Sequence, residues 1–285
     1  FADNLYKDII DNSSNNSTVF NAVLQNLVDQ KFPVNDDMKE DAATIIKQIK
    51  SAYKSNYGDN YKDSLNQALT SAGYKNLSEY RQKMIKQIQY ANFLLDYIDD
   101  HFDDVFNDYY QQCAPKYVSL IKISVSDTSS PTGDETSKLN EVKELISNTD
   151  KSFGDIAQDY SNDSTSSKKG SLGIVDSKDT SGIANSYGKD VFNAIEALSE
   201  GQVSDVITGD NGYYFVKVTS TDKKTLKKEL KKTDIDSPLL AYDDYLQYVV
   251  YNSYKINYKD KDIKKIVQEV VNKALEERKT ERGEA

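Results

Sequence analysis

The hydrophobic period of this chain changes twice, and the two changes fix what it can fold into. Up to about residue 115 apolar side chains recur at three and four, as in Val19, Phe20, Val23, Leu24, Leu27 and Val28, and again in Leu77, Tyr80, Met84, Ile88, Phe93, Leu94 and Ile98. That spacing puts one apolar stripe on a helix. After Pro115 the run Val118-Ser-Leu120-Ile121-Lys-Ile123-Ser-Val125 alternates and is rich in β-branched residues, which reads as a strand. From Asp222 the helical spacing returns, through Leu239, Leu240, Tyr245, Leu246, Val249 and Val250 and then Ile263, Ile266, Val267, Val270, Val271 and Leu275.

Finer signals fill in each part. Tyr57-Gly58-Asp59-Asn60-Tyr61 and Ala72-Gly73-Tyr74 read as breaks between helices, and Asn35 or Asp36 after Pro33 is placed to cap one. In the middle part the pattern predicts helices around Leu139–Ile146, Phe153–Tyr160 and residues 187–198, with strands at 172–175, 203–207 and 213–219. A few antiparallel strands mixed with helices make an α+β unit of about 100 residues. The expected organisation is therefore a helical region over 1–115, an α+β domain over 116–221, and a helical region over 222–285 that packs with the first.

Composition narrows the function classes. With 285 residues there is room for two or three domains. The net charge of −10, with 33 lysines and only 3 arginines, offers no arginine-rich face for reading phosphates or bases, so nucleic acid is set aside as a partner. No apolar run approaches the roughly 18 residues that cross a bilayer. The opening Phe1-Ala-Asp-Asn-Leu5-Tyr6 is not a signal sequence and reads as the start of a mature or trimmed chain.

Cys113 is the sole cysteine, so neither an internal disulfide nor a thiolate metal cluster can form, and no cofactor is expected. His101, the sole histidine, lies in Asp99-Asp100-His101-Phe102-Asp103-Asp104 and reads as part of an exposed helix face. The lysines from Lys223 to Lys232 read in the same way, as a solvated helix face.

One series in the middle part has a family resemblance. Phe153-Gly-Asp-Ile156-Ala157, the Ser161-Asn-Asp163 loop, Gly170-Ser171-Leu172-Gly173, Leu198-Ser-Glu-Gly201-Gln-Val203-Ser204 and Asn211-Gly212-Tyr213-Tyr214-Phe215-Val216 keep the order and spacing of a parvulin-type peptidyl-prolyl isomerase. Set between two helical regions, that module resembles the PrsA-type foldase lipoproteins of Gram-positive bacteria and is similar in plan to SurA-like chaperones. The resemblance implies that the two helical regions pack into one discontinuous domain. It also implies a protein outside the cytoplasmic membrane, tethered by a lipid on an upstream cysteine absent from this sequence, that assists the folding of secreted, proline-containing polypeptides.

Such a domain needs no metal and no nucleophile. It must hold a prolyl ring in an apolar pocket and favour the twisted amide over the planar one. The resemblance implies two histidines, a Cys or Asp, and a Ser or Thr as the polar set. Residue by residue, the Cys/Asp position falls on Asp163. The first histidine position falls on Lys122, or on Leu120 if the register slips by two, and the second falls on Tyr214, beside Asn211. Val191, Phe192 and Phe215 are candidates for receiving the ring. With both histidines replaced, three readings stay open: an isomerase with an altered polar set, a non-catalytic holdase, or a surface adhesive or structural protein on the same scaffold. A homodimer is also left open.

Overall fold

The computed structural model describes residues 16–231 and 235–284. The chain is α+β: helices with one four-stranded antiparallel sheet in the middle, flanked on both sides in sequence by helices. It divides into two compact units. One takes the described residues through His101 and those from Asp243 onward; the other takes Phe102 through the helix that ends at Leu230, with Ser237–Tyr242.

In the helical unit α1 spans Asn16–Lys31, α2 Asp36–Tyr57, α3 Tyr61–Ser71 and α4 Leu77–Asp100, followed later by α11 (Leu246–Ser253) and α12 (Lys261–Glu281). Asn35 caps α2 by accepting from the Met38 N–H at 2.9 Å, and Asn76 caps α4 through Glu79 in the same way. Each cap satisfies a donor that the helix start leaves unpaired. Met38, Ala42 and Ile46 of α2 close a core with Met84, Ile85 and Ile88 of α4. Phe20 of α1 stacks on Tyr248 and meets Tyr251 edge-on, so segments far apart in sequence share one interior. His101 ends α4 in the open, and no described helix is long and apolar enough to cross a membrane.

The second unit runs α5 (Phe102–Cys113), β1 (Lys116–Ser124), α6 (Gly133–Asn148), α7 (Phe153–Tyr160), β2 (Ser171–Val175), α8 (Ile183–Tyr187), α9 (Lys189–Ala197), β3 (Ile207–Gly209), β4 (Gly212–Ser220) and α10 (Lys223–Leu230). The sheet order is β2-β1-β4-β3. Side chains alternate along the central strands, so each of the two faces has its own core. Val118, Leu120, Tyr214 and Val216 face α8 and α9; Ile121, Ile123 and Phe215 face α6 and α7.

Three local devices hold these layers. Lys116 Nζ donates to the carbonyls of Ile195, Glu196 and Leu198, completing the open C-terminus of α9. Gly170, at φ +76°, passes so close to β1 that a Cβ would lie 2.4 Å from the Leu120 carbonyl oxygen. Asp176, fully buried, accepts from the Tyr109 hydroxyl at 2.8 Å, from the Lys178 N–H at 3.0 Å and from the Thr180 hydroxyl. This carboxylate fixes the loop that delivers α8.

The sequence pattern erred at 203–207. Val203 forms only an isolated bridge to Lys217, and ladder pairing starts at Ile207. The Ser204 hydroxyl accepts the Val216 N–H at 3.1 Å, taking the place of a ladder carbonyl. Cys113 is buried at the end of α5, as an apolar-like thiol.

Candidate functional site

β3 and β4 are joined by a two-residue hairpin, Asp210-Asn211, and Gly209 pairs with Gly212 across it. The absence of a side chain on Gly209 matters here, because a Cβ would sit 2.7 Å from the Tyr214 ring. Tyr214 therefore lies across the hairpin, only 4% exposed, and its hydroxyl donates to Asn211 Oδ1 at 2.8 Å. Opposite, the end of α8 presents Tyr187, whose ring meets that of Tyr214 edge-on, with centroids 6.2 Å apart.

The loop after α7 is strapped to β1 on both sides of Lys122. The Lys122 N–H donates to Ser161 Oγ at 3.0 Å, and the Asn162 N–H donates to the Lys122 carbonyl at 2.8 Å. That strap delivers Asp163, which is locked by accepting from the Thr165 N–H at 2.9 Å and the Thr165 hydroxyl at 2.6 Å. The Tyr187 hydroxyl donates to the same carboxylate at a long 3.4 Å. Lys122 and Tyr214 are direct cross-strand partners, and Lys122 Nζ stands 5.7 Å from the Tyr214 ring centre.

A groove of about 460 Å³ opens beside this cluster, walled by Tyr187, Gly188 and Val191 on one side and by Ile207, Asn211 and Tyr214 on the other. Burial, and secondarily the negative charge of Asp163, pushes the Tyr187 phenol up to about 12. Burial likewise raises the Tyr214 phenol, helped by Asp163 and Asp210. Both phenols remain proton donors at neutral pH. Among the described residues no group of His, Cys, Asp and Glu is arranged to hold a metal ion.

The sequence-derived candidates divide accordingly. Lys122, Asp163, Asn211 and Tyr214 come together, and Val191 lines the groove. Phe192 is half-buried against the core beneath and is not part of the wall. Leu120 is fully buried in the sheet, so it supports the floor and offers no surface to a client. Phe215 is a correction: next to Tyr214 on the same strand, it points to the opposite face and fills the core against α6 and α7. Tyr187 was missed altogether, although it links Asp163 to Tyr214. The signal available was a tyrosine directly before Gly188, at the end of a short helix.

Residues 120–220 match the model of the PPIC-type peptidyl-prolyl isomerase (rotamase) domain. Foldase protein PrsA of Staphylococcus epidermidis is 32% identical over 141 residues, which are 47% of this chain and 41% of that protein. PrsA of Staphylococcus aureus gives the same identity and coverage. The chain thus aligns with less than half the length of these relatives. The crystal structure of PrsA from Bacillus subtilis is 20% identical, with a TM-score of 0.43 over 93% of this chain and 92% of that one. The tyrosine-lined groove thus lies within the stretch that matches the PPIC-type domain model, in a chain that is similar over part of its length to PrsA foldases.

Proposed function

We propose that the groove beside Tyr214 binds prolyl segments of unfolded polypeptides, and that the whole protein is an extracytoplasmic foldase for secreted clients. The location and the lipid tether belong to this reading and rest on the kinship with PrsA proteins of Gram-positive bacteria. The observation that carries the proposal is the convergence of Asp163, Tyr187, Tyr214 and Lys122 beside a groove in the stretch that matches the PPIC-type domain.

Rotation about an X-Pro bond meets a barrier of about 18–20 kcal/mol, because the planar amide is resonance-stabilised. Groups that favour the twisted amide lower it, and they act more strongly where water is excluded. The Tyr187 hydroxyl is the donor best placed to serve, since its 3.4 Å bond to Asp163 costs little to redirect toward the rotating carbonyl. The Tyr214 hydroxyl is committed to Asn211, so its ring forms the pocket wall and its oxygen stays available as an acceptor. Lys122 adds positive potential above that ring.

A protease-coupled or exchange-NMR assay with a proline tetrapeptide tests the proposal. Catalysis above the spontaneous rate is expected, falling in Tyr187→Phe. No rate above background at high protein concentration rejects the isomerase and leaves the holdase reading, which predicts suppressed aggregation of a denatured client.

A further inference from the structure

The C-terminal two-thirds of α2 departs from the acidic character of the chain. Between Ala42 and Gly58 there are three lysines and no carboxylate, in a protein of net charge −10. At 100° per residue, Ala43, Ile46, Lys47, Lys50, Tyr53, Lys54 and Tyr57 all fall within about one-third of the helix circumference. Ala43, Ile46, Lys47 and Lys50 meet Leu77 and Arg81 of α4 around an open groove of about 460 Å³. Its floor is apolar and its rim is basic.

Several features set this groove apart from an ordinary solvated face. Among the described residues, Lys47, Lys50, Lys54 and Arg81 form no ion pair. The helix macrodipole favours cations only in a last turn, which accounts for Lys54 but not for Lys47 or Lys50 in mid-helix. It gives no support to Arg81 either, which lies in the second turn of α4 and donates to the Lys39 carbonyl oxygen at 3.3 Å. Further along the same face Tyr53 and Tyr57 stack with ring centres 5.5 Å apart, and Tyr57 is 53% exposed. Cations beside bare aromatic rings and an apolar floor suit a ligand that carries both carboxylates and apolar side chains.

We propose that this groove of the helical unit docks extended polypeptide segments in which acidic residues flank an aromatic or large aliphatic one. The inference rests on the foldase reading and gives it a sequence preference. Lys47 to Lys54 spans about 10 Å, the length of about three extended residues. The net negative charge of the chain disfavours such segments elsewhere, and the lysines of α10, which border no apolar groove of this kind among the described residues, supply the charge-only control.

The test uses the full chain and a fluorescein-labelled decapeptide with Asp and Glu around a central Phe, read by anisotropy at low salt. At least about tenfold weaker binding is expected for the Asn/Gln counterpart of the peptide and for its Phe→Ser counterpart. The triple variant K47Q/K50Q/R81Q should lose at least about tenfold, while the charge-matched K224Q/K228Q/K231Q, on α10 and the residue that caps it, retains wild-type affinity. Because these side chains are on the surface, circular dichroism should be unchanged. A photoreactive analogue in place of the Phe should crosslink within Ala43–Lys50 or Leu77–Arg81. Equal binding by both triple variants, crosslinks elsewhere, or tight polyphosphate binding with indifference to the Phe would each overturn the proposal. Proline-tetrapeptide turnover by K47Q/K50Q/R81Q should be unaltered, so loss of docking is separable from failure of the isomerase reading.

Discussion

The two faces of the central sheet are built from adjacent residues and do different work. Behind it, Ile121, Ile123 and Phe215 pack on α6 and α7 as an apolar layer whose contribution is stability. In front, Tyr214 and its neighbour Tyr187 occupy similar volume but carry hydroxyls, and the space beside them is an open groove. The alternation of β4 assigns one neighbour to the scaffold and the next to the site, so a one-residue shift in register would exchange their roles.

The most severe way to break this contrast is Phe215→Ala. Removing a buried ring from the back face should cost about 3–5 kcal/mol, seen as a lower urea midpoint, and groove function should disappear only with folding. Tyr214→Phe should cost about 1 kcal/mol for the lost bond to Asn211, while tetrapeptide turnover or affinity falls out of proportion to stability. Equal ratios of functional loss to stability loss in the two variants would erase the distinction between the faces.

Smaller changes sharpen it. Asp163→Asn weakens the cap on Thr165, at about 1 kcal/mol or less, and removes a negative charge beside Tyr187. The Tyr187 phenol should then titrate below its present value of about 12, followed by ultraviolet difference spectra against Tyr187→Phe. Burial remains the larger cause of the upward shift, so the return toward the ordinary value near 10 should be partial. The pH dependence has a definite sign. A phenol raised in the folded state supports stability fully below pH 10, and that support is lost between pH 10 and about 12, where the unfolded chain releases its proton first. Tyr187→Phe should flatten this part of the stability curve slightly, the smallest effect of the set.

Much of this was legible in the sequence because it depends on local pattern. The long helices follow from spacing of three and four, Asn35 from its chemistry as a cap, and β1 from its alternating β-branched run. Asp163 and Tyr214 could be aligned because the intervening glycines and apolar residues keep their order. What the sequence hid is long-range. Tyr187 lies on a five-residue helix, too short to show a period, and its partners are 24 and 27 positions away. The sidedness of Phe215 was implicit in the alternation itself, but its aromatic character drew it toward the ring pocket. The basic rim of the α2–α4 groove was likewise invisible until Arg81 came beside Lys47 and Lys50.

One further consequence follows from the ring of Tyr242. It packs edge-on against Tyr109 at 5.4 Å, and its hydroxyl donates to Asp108 at 2.8 Å. The first helix of the sheet unit is thereby clasped to the last segment of the same unit. A module with neighbouring ends can be excised, transplanted into a foreign loop or rejoined head to tail with little entropic penalty.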